Sequence, residues 1–197
     1  MIGDLKLEII LGSQSPRRRE LMAGLDVPFT AITIDADESY PVELEGGDIP
    51  AFISRAKAQA YAGELKEDQL LITADTIVWL DGKMLGKPHD ESDAKAMLRA
   101  LSGKTHQVFT GVTFAEKLST FDFRLSTIVD CTDVTFAELT EEEIDYYVNT
   151  YRPMDKAGAY GVQEWIGYIA CTGMNGSYFN VMGFPVHKVY EKLKNYI

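Results

Sequence analysis

Gly12-Ser13-Gln14-Ser15-Pro16-Arg17-Arg18-Arg19 sets a small polar turn directly before three consecutive cations. Proline suits the first position of a helix. Such a turn offers unpaired backbone N–H groups and the positive end of a helix dipole to an anion. Ser13 and Ser15 add hydroxyl donors, and Arg17 and Arg18 add fork-shaped donors that match phosphate. The glycine and lysine spacing of a P-loop is absent. The same residues also read as a capped surface helix with solvated arginines. Asp75, flanked by Ala74 and Thr76 in an apolar stretch, is costly to bury unless it is paired, metal-bound or set at a strand break. A carboxylate at a strand end suits a metal ligand or general base; a structural aspartate capping a turn is the equal alternative.

Three further segments carry candidate chemistry. Lys87, in Gly86-Lys87-Pro88, is placed to hold a phosphate as a point charge, although lysines in such loops are mostly just solvated. Asp37-Glu38 lies in an acidic loop, where paired carboxylates bind magnesium through oxygen or serve as soluble surface. From Asp155 to Gln163, glycines and alanines around Tyr160 let backbone approach a ligand, and the Gln163 carboxamide can read a base edge. That stretch reads equally as a tight connection between lobes. His106 reads as a packed, hydrogen-bonded residue and not as a base. No Ser/His/Asp arrangement and no histidine-rich metal cluster is visible. Hydrolysis of a phosphoanhydride requires neither, only charge neutralisation, a metal and an oriented water.

The elements that must position these residues alternate. The pattern predicts a strand over 7–12, a helix over 16–25 with Leu21, Met22 and Leu25 on one face, and a strand over 28–35. An acidic loop at 36–49 precedes an alanine-rich helix over 50–64. Residues 70–74 and 76–80 read as strand around Asp75, and Asp81-Gly82 signals a type I′ hairpin into Lys83-Met84-Leu85. A helix covers 90–101, with acidic residues in its first turn. Strands over 104–117 and 121–138 surround a turn near Leu118-Ser119. Thr140 and Glu143 form a capping box, so 140–150 is a helix. Short strands are expected at 166–171 and 177–182. A terminal helix follows Pro185, with Val186, Val189, Tyr190 and Leu193 on one face. Alternating strands and helices, with a long central strand pair, indicate an α/β fold on a mixed twisted sheet flanked by helices. No linker stands out, so the reading is one domain, 1–197, with two lobes and a central cleft.

Composition narrows the function. The chain has 197 residues, 46% of them hydrophobic, which excludes wholesale disorder. No apolar run approaches the length of a membrane span, and the N-terminus lacks a basic leader with an apolar stretch, so a cytoplasmic protein is expected. Cys131 and Cys171 are far apart in sequence and read as buried free thiols. A net charge of −11 argues against stable nucleic-acid or membrane binding. It leaves room for a local basic pocket that takes a small phosphorylated substrate.

Together these segments resemble the Maf family of nucleotide pyrophosphatases. The likeness runs through GSQSPRRREL at 12–21, RAKA at 55–58, TADTIV at 73–78, LGKP at 85–88, MLRALSGKTHQVFTGV at 97–112, MDKAGAYGVQ at 154–163 and NGSYFNVMGFP at 175–185. The resemblance implies a Maf/ITPase-like fold, often a homodimer, and hydrolysis of a nucleoside triphosphate to monophosphate and pyrophosphate with magnesium or manganese. It implies that Asp75 is the catalytic acidic residue and proton acceptor. Glu38, Lys57 and Lys87 are the other charged cleft residues, with Glu38 and Asp75 near the metal. Ser13, Arg17 and Arg18 form the phosphate-binding turn. Arg18, Thr76 and Gln163 resemble the subgroup acting on dTTP and UTP, so a pyrimidine triphosphate is the expected substrate. The 7-methyl-GTP subgroup typically has S-D-Q where Ala74-Asp75-Thr76 stands here, and a role as a nucleotide- or nucleic-acid-binding division regulator has also been suggested for the family. Glu164-Trp165-Ile166-Gly167 departs from relatives richer in glycine, and Phe184 stands where leucine is commoner.

Overall fold

A computed structural model of the chain describes residues 7–119 and 122–196. In chain order it contains β1 (Glu8–Gly12), α1 (Pro16–Ala23), β2 (Phe29–Ile32), α2 (Asp48–Ala62), β3 (Gln69–Leu80) and β4 (Lys83–Leu85). Then follow α3 (Glu91–Leu101), β5 (Thr105–Ser119), β6 (Asp122–Phe136), α4 (Glu141–Tyr151), α5 (Trp165–Ala170), β7 (Cys171–Asn175), α6 (Tyr178–Val181) and α7 (Val186–Leu193). The strands form a sheet in the order β2-β1-β3-β5-β6-β7, with β4 beside β3. β1 pairs in parallel with β2 and β3. β4 runs antiparallel to β3, and β7 antiparallel to β6. The fold is therefore α/β with a mixed sheet flanked by helices, as the alternation of elements predicts.

Contacts divide the chain into two compact units. The first holds the chain up to Asp75, Thr110–Asp130 and the chain from Gly183 onward; the second holds Thr76–Phe109 and Cys131–Met182. Three of the four divisions fall inside β3, β5 and β6, and the fourth lies in the short connection between α6 and α7, which is why no linker marks them. Within the first unit, Ile10, Ala58, Leu65, Leu71 and Ala115 pack as a buried core. Within the second, Leu98, Val108, Phe136, Tyr147 and Ile166 belong to a larger one. Fully burying each leucine, isoleucine, valine or phenylalanine among them stabilises by roughly 1.5–3 kcal/mol.

Several expectations are corrected. Residues 70–74 and 76–80 form one continuous strand, so Asp75 sits mid-strand and not at a strand end or break. The segments at 166–171 and 177–182 are mostly helical. Val162, Ile166 and Ala170 are buried while Tyr168 and Ile169 are exposed, an inward spacing of four that belongs to a helix. Local β-propensity of the aromatics lost to that packing. Ser177 accepts a hydrogen bond from the Asn180 N–H at 3.3 Å and so starts α6. Cys131 is exposed and Cys171 half-buried, and neither forms a disulfide. Along β6, Asp130, Thr132 and Val134 face inward, and the period of two turns Cys131 outward. Leu118 and Ser119, where a turn is expected, lie in β5, and residues 120 and 121 fall outside the described residues. Asp81 and Gly82 have φ of 51° and 77°, as a type I′ hairpin requires.

Candidate active site

In the first unit, the parallel register pairs Gly12 with Thr73. The polar turn that leaves β1 therefore begins beside the strand segment leading to Asp75. Ser15 caps α1, its side chain accepting from the Arg18 N–H at 3.4 Å. Its own N–H donates to Ser13 Oγ at 3.2 Å, so the serine hydroxyls order the turn.

Arg18 reaches back from α1. Its Nε donates to the Gly183 carbonyl at 2.8 Å and a terminal nitrogen to the Ala74 carbonyl at 2.9 Å. The guanidinium is thus held against the residue preceding Asp75. Burial pulls its pKa below the ordinary value, the Asp75 charge opposes that shift, Arg17 adds to it, and Glu38 opposes it. The arginine remains a cation at neutral pH. Arg19, which the sequence leaves without a role, donates to the Ser13 carbonyl at 3.2 Å.

Lys57 carries the next part. Its ammonium lies 2.9 Å from Asp75 Oδ1 and 2.8 Å from Glu38 Oε1. Lys57 and Asp75 side chains are only 13% and 14% exposed, whereas Glu38 is 53% exposed. The neighbouring Asp37 is used differently. Its carboxylate accepts the Ser39 N–H at 2.9 Å and the Ser39 hydroxyl at 2.8 Å, bonds that hold its pKa below the usual value. The acidic pair is therefore split between a loop-ordering residue and one that reaches the cluster.

Two residues the sequence reading missed set this geometry. Thr73 Oγ1 donates to the Ser54 carbonyl at 2.7 Å, and Ser54 Oγ lies 2.9 Å from Thr113 Oγ1. Lys57 is three residues beyond Ser54 on α2, and Asp75 two beyond Thr73 on β3, so both follow their anchors on the same face. The available signal was the pair of spacings Ser-x-x-Lys and Thr-x-Asp, which gain meaning only once α2 is known to pack on β3.

In the second unit, Thr76 follows Asp75 along β3 and is half-buried, while Lys87 is exposed in the loop after β4. The Gly158 N–H donates to the Gly86 carbonyl at 3.0 Å, which brings the Lys87 loop to the Asp155–Gln163 segment. Gly158 has φ of 67°, and a Cβ there would lie 2.9 Å from Val78 Cγ2, so both conformation and space require glycine. Gln163 is half-buried and its Oε1 accepts no hydrogen bond. His106 is buried with its Nε2 2.7 Å from the Tyr160 hydroxyl, the packed histidine that the sequence suggests.

Among the described residues no group of three or more His, Cys, Asp or Glu side chains gathers as a metal site. Glu38 and Asp75 nonetheless converge on one cation, the Lys57 ammonium. Two carboxylates completed by water and phosphate oxygens are the donor set that magnesium takes, so the residues present fit a divalent ion.

The Asp75 and Glu38 carboxylates, the Lys57 ammonium and the Arg18 guanidinium meet beside β3 of an α/β protein, a set of charges that suits a polyanion bound with a cation. Comparison with known sequences gives the particular family. Residues 8–196 match the Maf-like protein family, to which this chain belongs. A dTTP/UTP pyrophosphatase of Bacteroides thetaiotaomicron is 57% identical over 98% of this chain and 99% of its own length. Relatives with the same name from Porphyromonas gingivalis (strain W83) and Flavobacterium johnsoniae are 52% and 47% identical, over 100% and 95% of this chain and 98% and 94% of their own. A solved HAM1 protein from Coxiella burnetii shares the fold, with a TM-score of 0.53 and 18% identity over 96% of this chain and 99% of that one.

Proposed function

We propose that the protein hydrolyses a pyrimidine nucleoside triphosphate, dTTP or UTP, to the monophosphate and pyrophosphate. Membership of the Maf-like family and the name carried by relatives at 57% and 52% identity support the activity and favour it over 7-methyl-GTP. Within the structure, the observation that carries the reading is one ammonium, Lys57, shared by the carboxylates of Asp75 and Glu38. Glu38 and Asp75 would hold a magnesium or manganese ion, which would supply neutralisation of the triphosphate charge. Arg17, Arg18, Lys57 and Lys87 bind phosphate oxygens and stabilise the charge that builds in the transition state. Ser13 orders the turn from which the arginines extend. Asp75 orients a water and takes its proton as the water oxygen attacks the α-phosphorus. The bond from that phosphorus to the bridging oxygen breaks, and pyrophosphate leaves with the electron pair.

Thr76 and Gln163 select the base. A buried acceptor such as Gln163 Oε1 calls for a donor. Uracil and thymine supply one at N3–H, where cytosine has a lone pair. No helix among the described residues is long and apolar enough to cross a membrane, and the cytoplasm is the compartment where this substrate is held. The deciding experiment measures phosphate from dTTP and UTP hydrolysis after added inorganic pyrophosphatase. Asp75→Asn should lower kcat on the order of 100-fold or more. Full activity in a folded, metal-binding Asp75→Asn protein would remove Asp75 from this role.

A further inference from the structure

The Gly161–Glu164 turn that carries Gln163 is held by a polar network with no part in the chemistry proposed above. The Glu164 N–H donates to the Gly161 carbonyl at 2.9 Å, closing a four-residue turn with Val162 and Gln163 at its centre. The Tyr147 hydroxyl accepts the Gly161 N–H at 3.0 Å and donates to Glu164 Oε2. One phenol from α4 thus ties the first residue of the turn to the last. The other oxygen, Glu164 Oε1, lies 3.1 Å from Lys156 Nζ, which is 2.7 Å from Asp155 Oδ1.

The network is largely dry: Tyr147 is fully buried, and the Lys156 and Glu164 side chains are 9% and 20% exposed. Burial, reinforced by Glu164, drives the Tyr147 pKa up, so the phenol keeps its proton and stays a donor. A Cβ at Gly161 would meet Gln163 Nε2 and Glu164 Cδ at 3.0 Å and Lys156 Cε at 3.1 Å. Gln163 therefore packs in the same knot. Val162, 7% exposed, anchors the turn in the core of its unit. A buried ion pair stabilises a fold little more than apolar side chains of the same volume would. Its value here is conformational: it leaves the turn one arrangement.

We infer that Tyr147, Glu164 and Lys156 are positioning residues for base selection, fixing the turn so that the Gln163 carboxamide meets the base at one angle. This rests on Gln163 reading the base, as proposed above. The test compares kcat and KM for UTP and CTP in Tyr147→Phe, Glu164→Gln, Gln163→Ala and the Tyr147→Phe/Gln163→Ala double variant. Thermal melts confirm that each is folded. Tyr147→Phe should cut the UTP-over-CTP ratio of kcat/KM about tenfold, mainly through KM for UTP, since small misplacements carry large rate penalties. Glu164→Gln should move the ratio in the same direction, and it decides alone if Tyr147→Phe does not fold. Residues that act through Gln163 lose their effect when it is gone, so the double variant should match Gln163→Ala. An unchanged ratio in the folded Tyr147 and Glu164 variants, or additive losses in the double variant, overturns the inference. An unchanged ratio in Gln163→Ala overturns the base-reading role itself, and the inference with it.

Discussion

Lys57 holds two carboxylates of like charge together, and everything near it depends on that charge. Without the ammonium, Asp75 and Glu38 repel each other, and a half-buried carboxylate loses its hydrogen bond. Lys57→Ala is therefore expected to lower kcat/KM for UTP on the order of 100-fold, the scale of losing one charged donor in a polar site. Lys57→Arg should not restore it, because a planar fork cannot place one point charge between two oxygens. Steady-state kinetics on both variants check this. Arg18 serves two ends at once, spending N–H groups on the Gly183 and Ala74 carbonyls while its charge sits near Asp75 and Glu38.

At the scale of elements, the α2–β3 pairing sets the cluster, and α2 is fixed by close contact as well as by hydrogen bonds. A Cβ on Gly111 of β5 would lie 2.5 Å from the Pro50 carbonyl carbon and oxygen and 2.6 Å from the Ala51 nitrogen. Backbone at both ends of that contact cannot yield as a flexible side chain can. Gly111→Ala should destabilise by about 1–3 kcal/mol, the usual range for overpacking, and should also lower activity because Lys57 moves with α2. Denaturant titration gives the first quantity, and substrate turnover by the folded fraction gives the second. The element boundaries that sequence patterns read best were those with chemical signals: the Asp81-Gly82 hairpin, the Thr140–Glu143 capping box and Pro16 at the start of α1. Those read worst were α5 and α6, whose aromatic residues favour strand by propensity while packing demands helix.

For the molecule as a whole, charge and pH govern behaviour away from the site. A net −11 sets an opposing field for polyanions, so the cationic side chains around Asp75 act locally. Acid stability has a specific sensor in His106, enclosed by Phe136 and Tyr160. Burial lowers its pKa from 6.5 to about 4. Below pH 6.5 the unfolded chain binds a proton that the folded protein refuses, so stability falls as pH drops and the loss levels off near pH 4. Its upper limit is about 3 kcal/mol. Urea midpoints at pH 7 and pH 5 should show this decline, and His106→Gln should flatten it.

The residue types, their order and the alternation of apolar segments were enough to reveal a mixed α/β fold and to single out side chains whose chemistry suits a triphosphate. These are local properties: a cap, a turn or a carboxylate in an apolar run has its chemistry wherever the chain takes it. Which of the charges meet was decided by the tertiary structure. Asp37 and Glu38 are adjacent in sequence, yet one orders a loop and the other reaches Lys57. Tyr147 and Glu164 lie on separate elements, yet the phenol of one donates to the carboxylate of the other. Pairings of that kind depend on strand register and helix packing, which sum weak contacts over the whole core and leave no mark on any short stretch of sequence.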